Sequence, residues 1–164
     1  MYSPEFYRVG ETAVIEELID AESFAALMTP ALPEPVISHL PFLLDKEDPG
    51  GPKLIGHMAR ANPHWKAFAQ SPQTMLIFQG PHAYISPAWY EPKPDNVPTW
   101  NYAVVHVRGT AHVIGDRTRA FATMQKLVSA FETKYQTGWK LDVPANAGVD
   151  ALMNAIVVFE ILDL

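Results

Sequence analysis

The clearest pattern in the chain is the alternation in "YAVVHVRGTAHVI", residues 102–114. Ala103, Val105, Val107, Gly109, Ala111 and Val113 fall on one face, and Tyr102, His106, Arg108, Thr110 and His112 on the other. A period of two over this length is the mark of a half-buried strand. Shorter apolar runs predict strands at 23–29, 35–45 and 53–59, then in "TMLIFQ" and "HAYIS", and finally in "IVVFEILDL". Pro41 implies that the second of these is an edge strand or carries a bulge. Gly80-Pro81 and "DPGG", 48–51, read as turns. Helical spacing appears in four places. Ala13, Val14, Ile15, Leu18 and Ile19 make a stripe within 11–21. In "NPHWKAFA", 62–69, Asn62 suits an N-cap and Pro63 the first helical position. Asp116 caps the longest helix, which runs to about Tyr135 with the stripe Phe121, Met124, Leu127, Val128, Phe131 and Tyr135. A short helix near 147–154 leads into the last strand.

These elements make six or seven strands with helices inserted between some of them. Strand follows strand through short turns in the middle of the chain. The expected fold is mainly β with α insertions, a closed or partly closed and mostly antiparallel barrel. With 164 residues and no repeat or linker, 1–164 is one domain with one core.

Composition narrows the function more than the fold. The formal charge is −6, and no stretch clusters Lys and Arg. Nucleic-acid binders draw most of their affinity from a basic surface, so direct nucleic-acid binding is not expected. No apolar run approaches the ~20 residues that span a bilayer. The N-terminus lacks the order of a signal peptide, which makes a cytoplasmic protein the default expectation. The absence of cysteine excludes thiol catalysis and thiolate metal sites.

Six histidines invite a metal reading, but no pair has HExxH spacing, and His106 and His112 lie too far apart on their strand to share an ion. No GxSxG, GxGxxG or Walker loop is present. Two segments remain. "GHMARANPHW" runs from a strand into a helix start and places Arg60 just before the cap. That arrangement suits a phosphate group, and equally suits a capped helix beside a solvated arginine. "VPTWNY" presents Trp100 either as a core aromatic or as a ring-stacking surface.

Together with the N-terminal "MYSPEFY", the segments "SHLPFLLD", "GHMARANPHW", "FQGPHAYISPAWY" and "VPTWNYAVVHVRG" occur in the order seen in the PaiB family, described as FMN-binding negative transcriptional regulators. The resemblance runs from Met1 to nearly the last residue. It implies a split β-barrel like that of the pyridoxamine phosphate oxidases, and a homodimer with flavin sites at the subunit interface. His57, Met58, Ala59 and Arg60, with Asn62, then correspond to the phosphate side of an FMN site. Ser38, His39, Leu40 and Pro41 would lie along the ring, and Trp100 and Asn101 would come from the same or the partner subunit. The aromatic stretch after Gly80-Pro81, with His82, Tyr84 and Ser86 pointing one way, would wall the site or pack the dimer interface.

The chain departs from the pattern twice. The Arg-Lys pair that pyridoxamine phosphate oxidases place on phosphate is missing, so Arg60 with Lys66 would substitute. The polar C-terminal segment expected of the family does not follow Leu164. The resemblance implies a flavin-binding protein that acts as an indirect regulator or a low-activity oxidoreductase. The same barrel binding haem through His39, His57 or His82, or a cofactor-free interaction protein, are the alternatives.

Overall fold

The computed structural model describes residues 2–91, 95–141 and 147–164. Six strands form a closed barrel: β1 (Phe24–Thr29), β2 (Val36–Asp45), β3 (Lys53–Ala59), β4 (Gln73–Ile85), β5 (Thr99–Val113) and β6 (Ile156–Leu162). Their order around the barrel is β1-β2-β3-β6-β5-β4, and every pairing is antiparallel. Four helices decorate it: α1 (Thr12–Ala21), α2 (His64–Ala67), α3 (Arg117–Lys134) and α4 (Ala147–Asn154). The expected mainly-β antiparallel barrel is the observed one.

Alternation decides which side chains fill the barrel. Ala25, Leu27, Phe42, Leu44, Leu54, Met58, Leu76, Phe78, Phe159 and Ile161 form one buried cluster. Phe42 sits at its centre, edge-on to Phe78 and Phe159 at centroid separations of 6.4 and 5.9 Å. Helix α1 adds Ile15, Leu18 and Ile19 to this core, with Leu18 against Gly80. Helix α2 adds Phe68 beside the ends of β1 and β2. Helix α3 lies outside, over β2, β3 and β6, where Ala120, Met124 and Leu127 bury Ile55 and Val158 in a second cluster. Asp116 caps α3 as expected, its carboxylate accepting the Arg119 N–H at 2.7 Å. Tyr135 ends the predicted stripe but is exposed, because it lies beyond the last helical turn, where its ring meets Lys134.

Two sequence expectations change. Gly80-Pro81 is not a turn between two strands: β4 runs unbroken through it. Gln79 pairs with Val104 and His82 with Tyr102, so Gly80 and Pro81 together oppose Ala103 in a β-bulge. The bulge absorbs a proline that has no N–H for the ladder. It also reverses the parity of β4. Before it, the odd residues Met75, Ile77 and Gln79 face outward; after it, His82 and Tyr84 do. Pro41 lies in the interior of β2, not at a sheet edge. It is the last residue paired with β1, and pairing with β3 begins at Phe42, so no ladder bond needs its missing N–H.

Glycine is required where β5 crosses β6. A Cβ on Gly109 would stand 2.5 Å from Ile161 Cγ2 and 2.6 Å from the Leu162 carbonyl oxygen. The second contact is with backbone and cannot be relieved by a rotamer change. Gly109→Ala is expected to destabilise the fold by ~1–3 kcal/mol, in the range of core overpacking, read as a lower midpoint in urea unfolding with an unchanged slope. An unchanged midpoint would show that the two strands can separate freely.

Candidate functional site

The predicted phosphate segment leaves β3 and turns into α2. The main-chain N–H of Asn62 donates to the Ala59 carbonyl at 2.9 Å, closing the turn. Arg60 does not extend freely into solvent. Its main-chain N–H donates to the Ala155 carbonyl, its Nε to the Asn154 carbonyl at 2.7 Å and its Nη2 to the Ile156 carbonyl at 2.6 Å. The guanidinium is thus clamped to the junction of α4 and β6 while the residue stays exposed. The Trp65 indole N–H donates to the Arg60 carbonyl, and Lys66 Nζ lies 5.7 Å from the Trp65 ring centre. Trp65 thus touches the Arg60 main chain through its indole N–H and the Lys66 cation through its ring.

The helix itself offers little to an anion. α2 has four residues, too few for aligned peptide dipoles to sum appreciably. Asn62 also occupies one of its free donors, accepting the His64 N–H at 3.0 Å. Any anion affinity here rests on the two side-chain cations.

The candidate residues divide by strand parity. His39 and Pro41 on β2, and His57 and Ala59 on β3, face outward; Ser38, Leu40 and Met58 face the barrel interior. An outer ligand would meet only the main chain of those three. Ser38 takes part in a buried network: Asn62 Nδ2 donates to its hydroxyl at 3.0 Å, and His64 Nδ1 lies 2.8 Å from the same oxygen. The opposite nitrogen of His64 lies 2.9 Å from Thr29 Oγ1. Sequence reading missed His64 and Thr29. A buried histidine at the first position of a helix carries no pattern, and only the sheet brings its partners to it.

His57 is the chemically unsatisfied member. Its Nδ1 is buried without a hydrogen-bond partner among the described residues. A buried imidazole nitrogen left without a partner is costly, and a ligand atom would satisfy it. This is an observation of fit for a heteroatom-rich group such as a flavin beside Arg60. Among the described residues no cluster of three or more His, Asp or Glu side chains is placed to hold a metal ion.

Trp100 and Asn101 lie elsewhere. β5 extends past the barrel rim together with the end of β4, and Trp100 packs there on His82 and Tyr84 at centroid separations of 5.9 and 6.2 Å. A shallow groove of about 380 Å³ is lined by Gln79, His82, Trp100, Tyr102, Ala103 and Val104. Asn101 pairs with Ala83 and has the opposite parity to Trp100. Trp100 precedes the first β6-paired residue of β5, Thr110, by roughly 30 Å of strand. Arg60 is fixed at the start of β6, so the two leave opposite ends of the barrel. Ser86 does not line the groove; it caps the short helical turn Pro87–Trp89. The loop expected to follow Tyr90 falls partly on residues 92–94, outside the described residues.

Comparison with known proteins follows this geometry. "Protease synthase and sporulation protein PAI 2" of Bacillus subtilis (strain 168) is 38% identical over 114 residues, 70% of this chain and 54% of that protein. Residues 1–162 match the family described as "Putative FMN-binding domain". The chain belongs to this PaiB-type FMN-binding family. It spans about half the length of PAI 2. The flavocytochrome Anf3 from Azotobacter vinelandii superposes on the PaiB-type barrel with a TM-score of 0.69 at 15% identity, covering 98% of this chain and 68% of that one. The FAD and heme binding protein from Mycobacterium smegmatis does so with a TM-score of 0.66 at 14% identity, covering 93% and 66%. At such identities these two report a shared split-barrel fold and nothing finer. Among the described residues, no helix is long and apolar enough to cross a membrane.

Burial holds the imidazoles of His57 and His64 below the ordinary histidine value of 6.5; His106 is lowered by burial, then by the N-terminal charge and Arg108. Groups lowered on folding bind fewer protons in the native than in the unfolded state. Stability from these groups is therefore complete above pH 6.5 and is lost as the pH falls from 6.5 through their folded values. Urea midpoints measured from about pH 7.5 to about pH 5.5 should fall, and His57→Asn should reduce the fall. A midpoint independent of pH over this range would contradict the buried neutral imidazoles.

Proposed function

We propose that the chain is a flavin-binding split-barrel protein that takes FMN, with the phosphate on Arg60 and Lys66 and the partnerless His57 Nδ1 turned to the ligand. The observation that carries this reading is the clamped Arg60 guanidinium at the end of β3. Two of its nitrogens are spent on main-chain carbonyls, so its position is set before any ligand arrives, and it keeps outward donors for an anion. Bound flavin would supply the redox chemistry; the chain's residues bind and orient it.

The reading includes a homodimer. Helix α3 covers β2, β3 and β6, whereas among the described residues no helix buries the outer face running across β5, β4, β1 and the first half of β2. Phe24, Ile37, Tyr84, Trp100 and Tyr102 on that face are 49–64% exposed. A continuous apolar face of this kind is what a two-fold interface buries. Because Trp100 and Arg60 leave opposite ends of one barrel, a site containing both takes Trp100 from the partner. Any regulatory effect would run through the flavin or a partner protein, since the net charge of −6 disfavours a phosphate backbone.

The same His57 nitrogen supports a second reading, haem ligation. A Soret band on adding haemin that disappears in His57→Ala would establish it over flavin.

Two measurements test the main reading. Arg60→Ala should weaken FMN by roughly ten- to a hundred-fold, the loss of one charge-assisted contact worth ~1.5–3 kcal/mol, and leave riboflavin nearly unchanged. Trp100→Ala should weaken both ligands alike. Equal losses of FMN and riboflavin in Arg60→Ala would remove the phosphate role. Sedimentation at micromolar concentration should show a dimer, whose interface should bury at least ~1,200 Å² in total. A monomer would exclude the shared site.

A further inference from the structure

The buried network behind the Arg60 turn ties β1, β2 and α2 together. Asn62 Nδ2 can only donate, so Ser38 Oγ accepts from it. Ser38 keeps one proton, and the neighbour within reach is His64 Nδ1, at 2.8 Å. If that nitrogen accepts, the imidazole carries its proton on Nε2 and donates to Thr29 Oγ1, at 2.9 Å. In the opposite tautomer, His64 Nδ1 donates to Ser38 Oγ and the Thr29 hydroxyl donates to Nε2, so in either form both ring nitrogens are bonded. His64 is fully buried, and Ser38 and Thr29 are buried as well, so water cannot make up a missing bond. The side chain of Asn62 is then fixed at both ends. Its oxygen accepts the His64 N–H, and its amide nitrogen is committed to Ser38.

We infer that His64 is a positioning residue for the ligand site: bonded at both ring nitrogens, it orients Ser38, Ser38 orients Asn62, and Asn62 fixes the turn that carries Arg60. This rests on the flavin reading above. The network begins on β1 and β2 inside the barrel and ends at the surface turn, so it ties the height of Arg60 to the packed core. Phe68 supports the imidazole from the other side, at a centroid separation of 5.5 Å. No charged side chain among the described residues bonds to His64, whose partners are the two hydroxyls and Asn62.

The test uses wild type, Ser38→Ala and His64→Gln. Histidine ¹⁵N spectra of the ligand-free protein should show His64 as a single fixed tautomer, and Ser38→Ala should shift its Nδ1 signal. Both variants, checked to be folded by circular dichroism, should lose FMN affinity by about tenfold while riboflavin changes little, because it is the Arg60 turn that loses its register. Exchange between the two tautomers in wild type would overturn the inference. So would an unchanged preference for FMN over riboflavin in both folded variants. If wild type binds no flavin at all, the flavin reading falls and the positioning role falls with it; binding with unchanged preference removes the positioning role alone.

Discussion

Closing six strands into a barrel is the constraint on which everything else depends. A closed sheet has a fixed interior that side chains must fill without voids. Here the filling is done by Phe42, Phe78 and Phe159, with Gly56 leaving room for the Phe42 ring and Gly109 allowing β5 and β6 to approach. Once those residues are committed inward, alternation commits their neighbours outward. His39, Pro41, His57 and Ala59 reach the outer surface because Leu40, Phe42 and Met58 do not.

The interior also reaches the ligand site through a chain of rings. Phe159 meets Phe68 at 5.3 Å, Phe68 meets His64, and His64 meets the hydroxyl network that ends at Asn62. A four-residue helix has little stability of its own. It holds its place because Phe68 is in the core and both nitrogens of His64 are bonded. The turn before it inherits that rigidity.

On the opposite wall the outer surface is used differently. Buried Glu160 meets Arg119 at 2.5 Å and Lys53 at 3.2 Å, and buried Asp45 meets Lys126 at 2.6 Å. Removing Arg119 or Lys126, the two of these cations on α3, would leave a buried carboxylate poorly paired, a costly state, so these pairs fix where α3 lies. With α3 over β2, β3 and β6, the aromatic residues on β5, β4 and β1 stay exposed. The bulge at Gly80-Pro81 serves that same face. Without its extra residue, His82 and Tyr84 would point away from Trp100 and Tyr102.

Much of this was determined by the sequence alone. The alternation of 102–114, the cap at Asp116 and the helical stripes specify local structure whose cause is local, and the ordered motifs identified the family. Three things were decided only by the tertiary structure. Gly80-Pro81 reads as a turn because glycine and proline share that preference with bulges, and only the partner strand shows one residue opposing two. Arg60 reads either as a phosphate contact or as a solvated arginine, and neither reading finds its clamp, because the carbonyls that hold it come from residues 154 and 156, more than ninety positions away. His64 had no signal at all: a histidine becomes a fixed tautomer only when two hydroxyls from separate strands arrive at its two nitrogens. Pairings between distant segments leave no period in the chain, so the sequence could name candidate residues but not which of them meet.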